Sequence, residues 1–153
     1  MKEDAAQPEF WDRRFREDFT PWDACGVPAA LEQFLRTEPR GQRALIPGCG
    51  SGYEVSAFAQ AGFDVLAVDF AEAAIERARR TLGPLSDRVR LADFFESDFE
   101  APFDIVYERA FLCALPGASG LAMGRGSPSS CVPEGGWPDF FSSTIPSAAR
   151  PSD

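Results

Sequence analysis

Apolar and polar positions along this chain follow two periods in turn. "RALIP" (43–47) and "FDVLAV" (63–68) are short apolar runs closed by Pro, Gly or Asp, and they read as buried strands. Between them, "GYEVSAFAQAG" (52–62) has helical spacing, with Val55, Phe58 and Ala59 inward and Gly62 as its stop. "AEAAIERARRTLGP" (71–84) is the clearest helix. Ile75, Ala78 and Leu82 form its stripe, its arginines fall late, where the helix dipole favours them, and Gly83-Pro84 ends it. "RVRLA" (88–92) and "FDIVY" (103–107) read as two further strands, and "FLCAL" (111–115) as the opening of another helix. Upstream, Pro28 suits the first position of a helix whose face is Leu31, Phe34 and Leu35. In the aromatic, charged segment 9–25, Trp11 and Phe15 stand at helical i, i+4 spacing, and Thr20-Pro21 interrupts.

Strand–helix alternation with short connections implies parallel strands joined by right-handed crossovers. Runs such as "DVLAVDF" suit a sheet covered on both faces. The expectation is a doubly wound, mostly parallel α/β sheet, which binds ligands beyond the carboxyl ends of its strands. The residues at those ends are therefore the candidates. They are Gly48, Gly50 and Gly52 in "PGCGSG", then Asp69, then Asp93 with Phe94 and Phe95, and finally Tyr107, Glu108 and Arg109.

Composition narrows the chemistry. The 153 residues suit one domain, and the net charge of −9 disfavours nucleic acid and anionic membrane surfaces as partners. There is no histidine, so the commonest general base is missing. Cys25, Cys49, Cys113 and Cys131 form no C-x-x-C pair, which gives no support for a metal site and suits reduced thiols in the cytoplasm. The charged start "MKEDAAQPEFWDRRF" is unlike a signal peptide, and no apolar run has the ~18 residues of a membrane span.

Two cofactors suit such a crevice. A dinucleotide asks for G-x-G-x-x-G, but counting from Gly48 the third glycine is replaced by Tyr53, which leaves a nicotinamide-dependent oxidoreductase a distant third reading. S-Adenosylmethionine has no phosphate and needs an acid for the ribose, a polar group and apolar wall for adenine, and room along the glycine loop. Asp69 is placed for the ribose hydroxyls, and Asp93 with Phe94 for the adenine.

"TPWD", "LIPGCGSGYEV", "VLAVDF", "ADFFE" and "FDIVYERAFLCALP" together resemble the thiopurine S-methyltransferase family, which includes plant thiol and halide methyltransferases. The resemblance covers roughly residues 9–116 and implies the class I methyltransferase fold with S-adenosyl-L-methionine as cofactor. It implies that Trp11, Phe15 and Trp22 close over the cofactor, and that Gly48 and Gly50 line its methionine part. It also places Arg109 near the cofactor carboxylate and the acceptor side. Phe15 stands where plant relatives carry Trp, and Ile46 where most class I methyltransferases place an acid. The implied reaction is methyl transfer to a small nucleophile, foremost a thiol, by a monomeric enzyme with no assigned catalytic base. Glu108 is a candidate proton carrier or a salt-bridge partner of Arg109. A cofactor-binding fragment without turnover is the competing expectation.

The resemblance stops after Pro116. Residues 117–153 hold 6 Gly, 5 Pro and 8 Ser, a composition expected to stay disordered. With GC-rich codons chosen for Ser129–Asp153, reading from each third base gives "LVRPGGRLAGFFFVDDTQRGPPFG", which resembles the family's continuation. The expectation is a reading frame shifted near Pro116. The nucleotide sequence across codons 110–125 tests it, and a tail with no family match in the shifted frame overturns it.

Overall fold

In the computed structural model, residues 4–23, 26–99 and 102–109 are described. The helix expected from Phe111 and the whole tail after Pro116 lie outside them. The described elements are α1 (Pro8–Arg16), α2 (Ala29–Thr37), β1 (Arg43–Pro47), α3 (Tyr53–Gln60), β2 (Asp64–Asp69), α4 (Glu72–Leu82), a 3-10 segment (Gly83–Arg88), β3 (Val89–Leu91) and β4 (Ile105–Val106). The four strands pair in parallel in the order β3-β2-β1-β4. The chain thus winds outward from β1 in one direction to β3, then crosses back to place β4 on the other side. That reversal leaves a crevice between the carboxyl ends of β1 and β4.

One sheet face carries Ala44, Ile46, Val65, Ala67, Val89 and Ile105, packed under Leu31 and Leu35 of α2, Val55 and Phe58 of α3, and Ile75, Ala78 and Leu82 of α4. These are the helical stripes expected from periodicity. On the opposite face, Leu45, Val68 and Val106 meet Phe94, Phe99 and Phe103 from the segment between β3 and β4. Pro28 falls one position earlier than expected, at the N-cap of α2, where its extended backbone leads into the helix. Asp69 is the last residue of β2 rather than the first beyond it.

The two ends of the sheet differ in chemistry. At the amino ends, charges alternate across the strands in their spatial order. Arg88 Nη1 lies 2.8 Å from Asp64 Oδ1, Arg43 Nε lies 3.1 Å from Asp64 Oδ2, and the Arg43 amide donates to Asp104 at 2.8 Å. These exposed contacts fix register more than they stabilise. The carboxyl ends instead carry the glycine loop and a roof of aromatic rings.

Candidate cofactor site at the carboxyl end of the sheet

The loop after β1 takes a path that a side chain would block. Gly48, Gly50 and Gly52 all have positive φ. Gly52 is the most constrained, because its φ of +81° is left-handed and an added Cβ would lie 3.2 Å from both Ala78 Cβ and Leu82 Cδ1. Its bareness therefore lets α3 start close against α4.

Asp69 organises this loop from β2. Its Oδ2 accepts the Gly50 amide at 3.1 Å, and its Oδ1 accepts the Ala71 amide at 3.0 Å. Burial pushes its carboxyl up to about 6, against the pull of the backbone amides of Ala71, Gly50 and Phe70. Cys49, between the glycines, is free and buried, and burial with the nearby Asp69 and Glu54 charges pushes its thiol up. It is thus a packing thiol rather than a nucleophile.

The N-terminal segment folds back over the loop. Phe15 packs with Ala71, Ala73 and Ala74, and its ring lies against Gly50. Asp12 Oδ1 accepts the Ala73 amide at 2.6 Å, capping α4 from a distant part of the chain. Arg77 of α4 donates to the Phe15 carbonyl at 2.9 Å and to Asp18 at 2.7 Å, and reaches Thr20 at 3.3 Å. Trp22 then sits edge-on to Trp11 and Phe15, with ring centroids at 5.5 and 6.0 Å. The Ser51 hydroxyl donates to Asp23 Oδ2 at 2.5 Å, joining the segment to the glycine loop.

These parts enclose a cavity of about 200 Å³ lined by Trp22, Asp23, residues 46–54, Tyr107 and Arg109. Trp22, Gly48, Gly50 and Arg109 line it, while the rings of Trp11 and Phe15 pack against Trp22. Asp69 does not line it, since its oxygens face the backbone of the loop. Asp93 accepts the Phe95 amide at 2.9 Å, and Phe94 belongs to the cluster under the second sheet face. Sequence reasoning missed Glu54, whose carboxylate lies 2.9 Å from Arg109, with side-chain exposures of 8% and 21%. Arg109, for which its neighbour Glu108 was weighed as a partner, is bridged across the crevice by Glu54. Glu54 stands in the first turn of α3 between inward-facing neighbours, so its burial was invisible to a pattern that counts apolar residues. Glu54 was also missed as a wall of the cavity, as were Asp23 and Ser51.

The parallel sheet order and the glycine-lined crevice define a Rossmann-like domain of the class I methyltransferase type. A crystal structure of an S-adenosyl-L-methionine-dependent methyltransferase from Thiobacillus denitrificans, in complex with S-adenosyl-L-homocysteine, has this fold. It matches with a TM-score of 0.50 and 19% identity, covering 71% of this chain and 46% of that one. The profile of the thiopurine S-methyltransferase (TPMT) family matches residues 6–120, and the chain belongs to that family. It is 31% identical over 118 residues to "Probable thiol methyltransferase 2" of Arabidopsis thaliana, covering 72% of this chain and 52% of the relative. It is also 31% identical over 112 residues to "Thiocyanate methyltransferase 1" of the same plant, covering 69% and 48%. The chain therefore spans about half the length of these relatives.

Among the described residues no helix is long and apolar enough to cross a membrane, and no His, Cys, Asp and Glu cluster could hold a metal.

Proposed function

We propose that this chain is the cofactor-binding part of an S-adenosyl-L-methionine-dependent methyltransferase whose acceptor is a small nucleophile, foremost a thiol. The observation that carries the reading is the cavity at the β1–β4 crevice, floored by the glycine loop and roofed by Trp22, in a chain of this family. Its residues fit such a cofactor. Gly48 and Gly50 give the methionine chain a backbone surface free of side chains, and Ile46 and Tyr107 supply apolar wall. Arg109 offers a guanidinium that Glu54 holds in place. Trp11 and Phe15 back the Trp22 roof. Asp69 lies directly under the loop, where a carboxylate bonded to two amides keeps acceptor capacity for ribose hydroxyls. Asp93 and Phe94, at the end of β3, are assigned to the adenine.

The cofactor supplies a methyl group on a positively charged sulfur, already a good leaving group. The chain's own task is then to orient the two reactants and exclude water. A thiol that has lost its proton to solvent attacks as the thiolate, so the lack of histidine is no obstacle. Calorimetry with S-adenosyl-L-methionine, followed by methyl transfer to a small thiol, tests the reading. Tighter binding of NAD than of S-adenosyl-L-methionine overturns it. Binding without transfer identifies the chain as a cofactor-binding fragment, the alternative favoured by its spanning about half the length of its relatives.

A further inference from the structure

Alanine stands at the N-cap of α4, so that helix has no side-chain cap of its own. Two carboxylates from elsewhere in the chain serve its first turn instead. Asp69, at the end of β2, accepts the Ala71 amide at 3.0 Å, and Asp12, on α1, accepts the Ala73 amide at 2.6 Å. A capping side chain bonds the second or third helical amide, and Ala73 is the second residue of α4. Asp12 thus does from α1 what a local serine or aspartate would do. Phe15 follows Asp12 by three residues and shares its face of α1. Its ring packs on Ala71, Ala73 and Ala74 and lies against Gly50. Ala71 and Gly50 are the residues whose amides Asp69 holds. This face of α1 therefore covers the clasp that Asp69 makes between the glycine loop and α4.

We propose that Asp12 is a positioning residue for Asp69, anchoring α1 on the first turn of α4 so that the Asp69 clasp and the aromatic roof keep one arrangement. The role rests on the proposed reading of the site, in which Asp69 takes the ribose. Two effects follow from the geometry. Trp11 adjoins Asp12 and meets Trp22 edge-on at 5.5 Å, so the anchor also sets where the roof lies. A second carboxylate at one helix end also opposes the ionisation of the first, and Asp12 raises the Asp69 carboxyl in this way. The other elements around Asp69 bring no such charge. β3 sets Leu91 beside it, the glycine loop brings the Cys49 thiol, and α4 brings backbone amides, its first-turn Glu72 being exposed. An ionised Asp69 accepts from ribose hydroxyls, and protonation removes part of that capacity. Ligand affinity is therefore expected to fall as pH drops through about 6, and Asp12 helps set where the fall begins.

The test measures S-adenosyl-L-homocysteine binding to the full chain by calorimetry across the pH range, with two variants. Asp12→Asn keeps an oxygen for the Ala73 amide and drops the charge, whereas Asp12→Ala loses both. At a pH well above the Asp69 titration, Asp12→Ala is expected to bind about tenfold more weakly, the effect of a lost cap passed on to the site. Asp12→Asn is expected to change there by less than about threefold. On the acid side the order reverses. Without the Asp12 charge, the fall in affinity should begin roughly half a pH unit lower, so Asp12→Asn keeps about threefold more of its own plateau affinity than wild type does. A strut without influence on Asp69 would leave that profile where it is. An unshifted profile in Asp12→Asn, or wild-type affinity in Asp12→Ala, overturns the role. If Asp12→Ala fails to fold, the profile of the capped Asp12→Asn variant decides alone. Failure of the wild-type chain to bind overturns the cofactor reading on which the role rests, whereas binding with an unshifted profile overturns the role and leaves that reading standing.

Discussion

Glu54 and Arg109 meet at 2.9 Å across the crevice, tying the first turn of α3 to the segment just beyond β4. The two elements stand on opposite sides of the point where the winding of the sheet reverses. Both residues line the cavity, so this contact bridges two of its walls. Burial raises the Glu54 carboxyl while Arg109 lowers it, so the ionised state depends on the partner.

Removing one partner should cost more than the pair contributes. Arg109→Leu leaves Glu54 buried without its counter-charge, and we expect a loss of about 2–4 kcal/mol. The double variant Glu54→Leu with Arg109→Leu should recover part of that, because no charge is left stranded. Urea denaturation followed by circular dichroism measures both. A single variant as stable as wild type would show that the bridge carries no structural weight.

Asp69 gives the fold a pH dependence of definite sign. Its carboxyl is raised from 3.8 to about 6 in the folded state. The folded chain therefore binds its proton more tightly than the unfolded chain does. Its contribution is fully present below pH 3.8 and is lost as pH rises through about 6. The shift corresponds to roughly 3 kcal/mol at most, superimposed on the titration of the other carboxylates. Comparing urea midpoints from pH 4 to 8 for wild type and Asp69→Asn isolates it. The difference between the two should change across pH 4–6 and be flat above 7. A constant difference over the whole range contradicts the burial argument.

The strands and the helical faces were legible because each rests on local periodicity. Ile75, Ala78 and Leu82 announce the buried side of α4, and Val55 and Phe58 that of α3. The glycine loop was legible for the same reason, since its spacing is local. Glu54 and Asp23 were not. Their importance comes from contacts with Arg109 and Ser51, far away in sequence. The reach of Asp12 to Ala73 is a tertiary cap of the same kind, and nothing within α4 itself signals it. Phe94, singled out by its position just beyond a strand, also packs against the cluster beneath the sheet, a contact its local sequence does not signal.

Gly52 separates backbone strain from crowding. Gly52→Ala meets both a left-handed φ of +81° and a Cβ at 3.2 Å from Ala78 and Leu82. Gly41→Ala meets a nearly equal φ of +84° with nothing within 4 Å. We expect about 1 kcal/mol for Gly41→Ala from the backbone alone. For Gly52→Ala we expect about 2–4 kcal/mol, the added part being overpacking against α4. Thermal or urea unfolding of the two variants decides, and equal losses would remove the packing explanation.

Arg77 is where the N-terminal segment is fastened. Its guanidinium reaches the Phe15 carbonyl, Asp18 and Thr20, and lies 5.3 Å from the centre of the Phe15 ring. Phe15 in turn touches Gly50 and stands next to Trp22, so the grip of α4 on this segment is transmitted to the roof of the cavity. Arg77→Gln keeps a polar side chain but cannot make these contacts together. We expect its effect on global stability to be about 1–2 kcal/mol, since the Asp18 partner is exposed and the Phe15 carbonyl can turn to water. The effect on the segment should be larger in proportion. Cleavage by a protease within residues 8–22 should speed up by about tenfold, the factor that ~1.4 kcal/mol of local opening produces. Tryptophan emission should move to the red as Trp11 and Trp22 gain water. S-Adenosyl-L-homocysteine, if it binds under that roof, should slow the cleavage in wild type and slow it less in Arg77→Gln. A variant that unfolds globally would accelerate cleavage everywhere, whereas loosening of the segment confines new cuts to the region before Ala29, and the cleavage map tells the two apart.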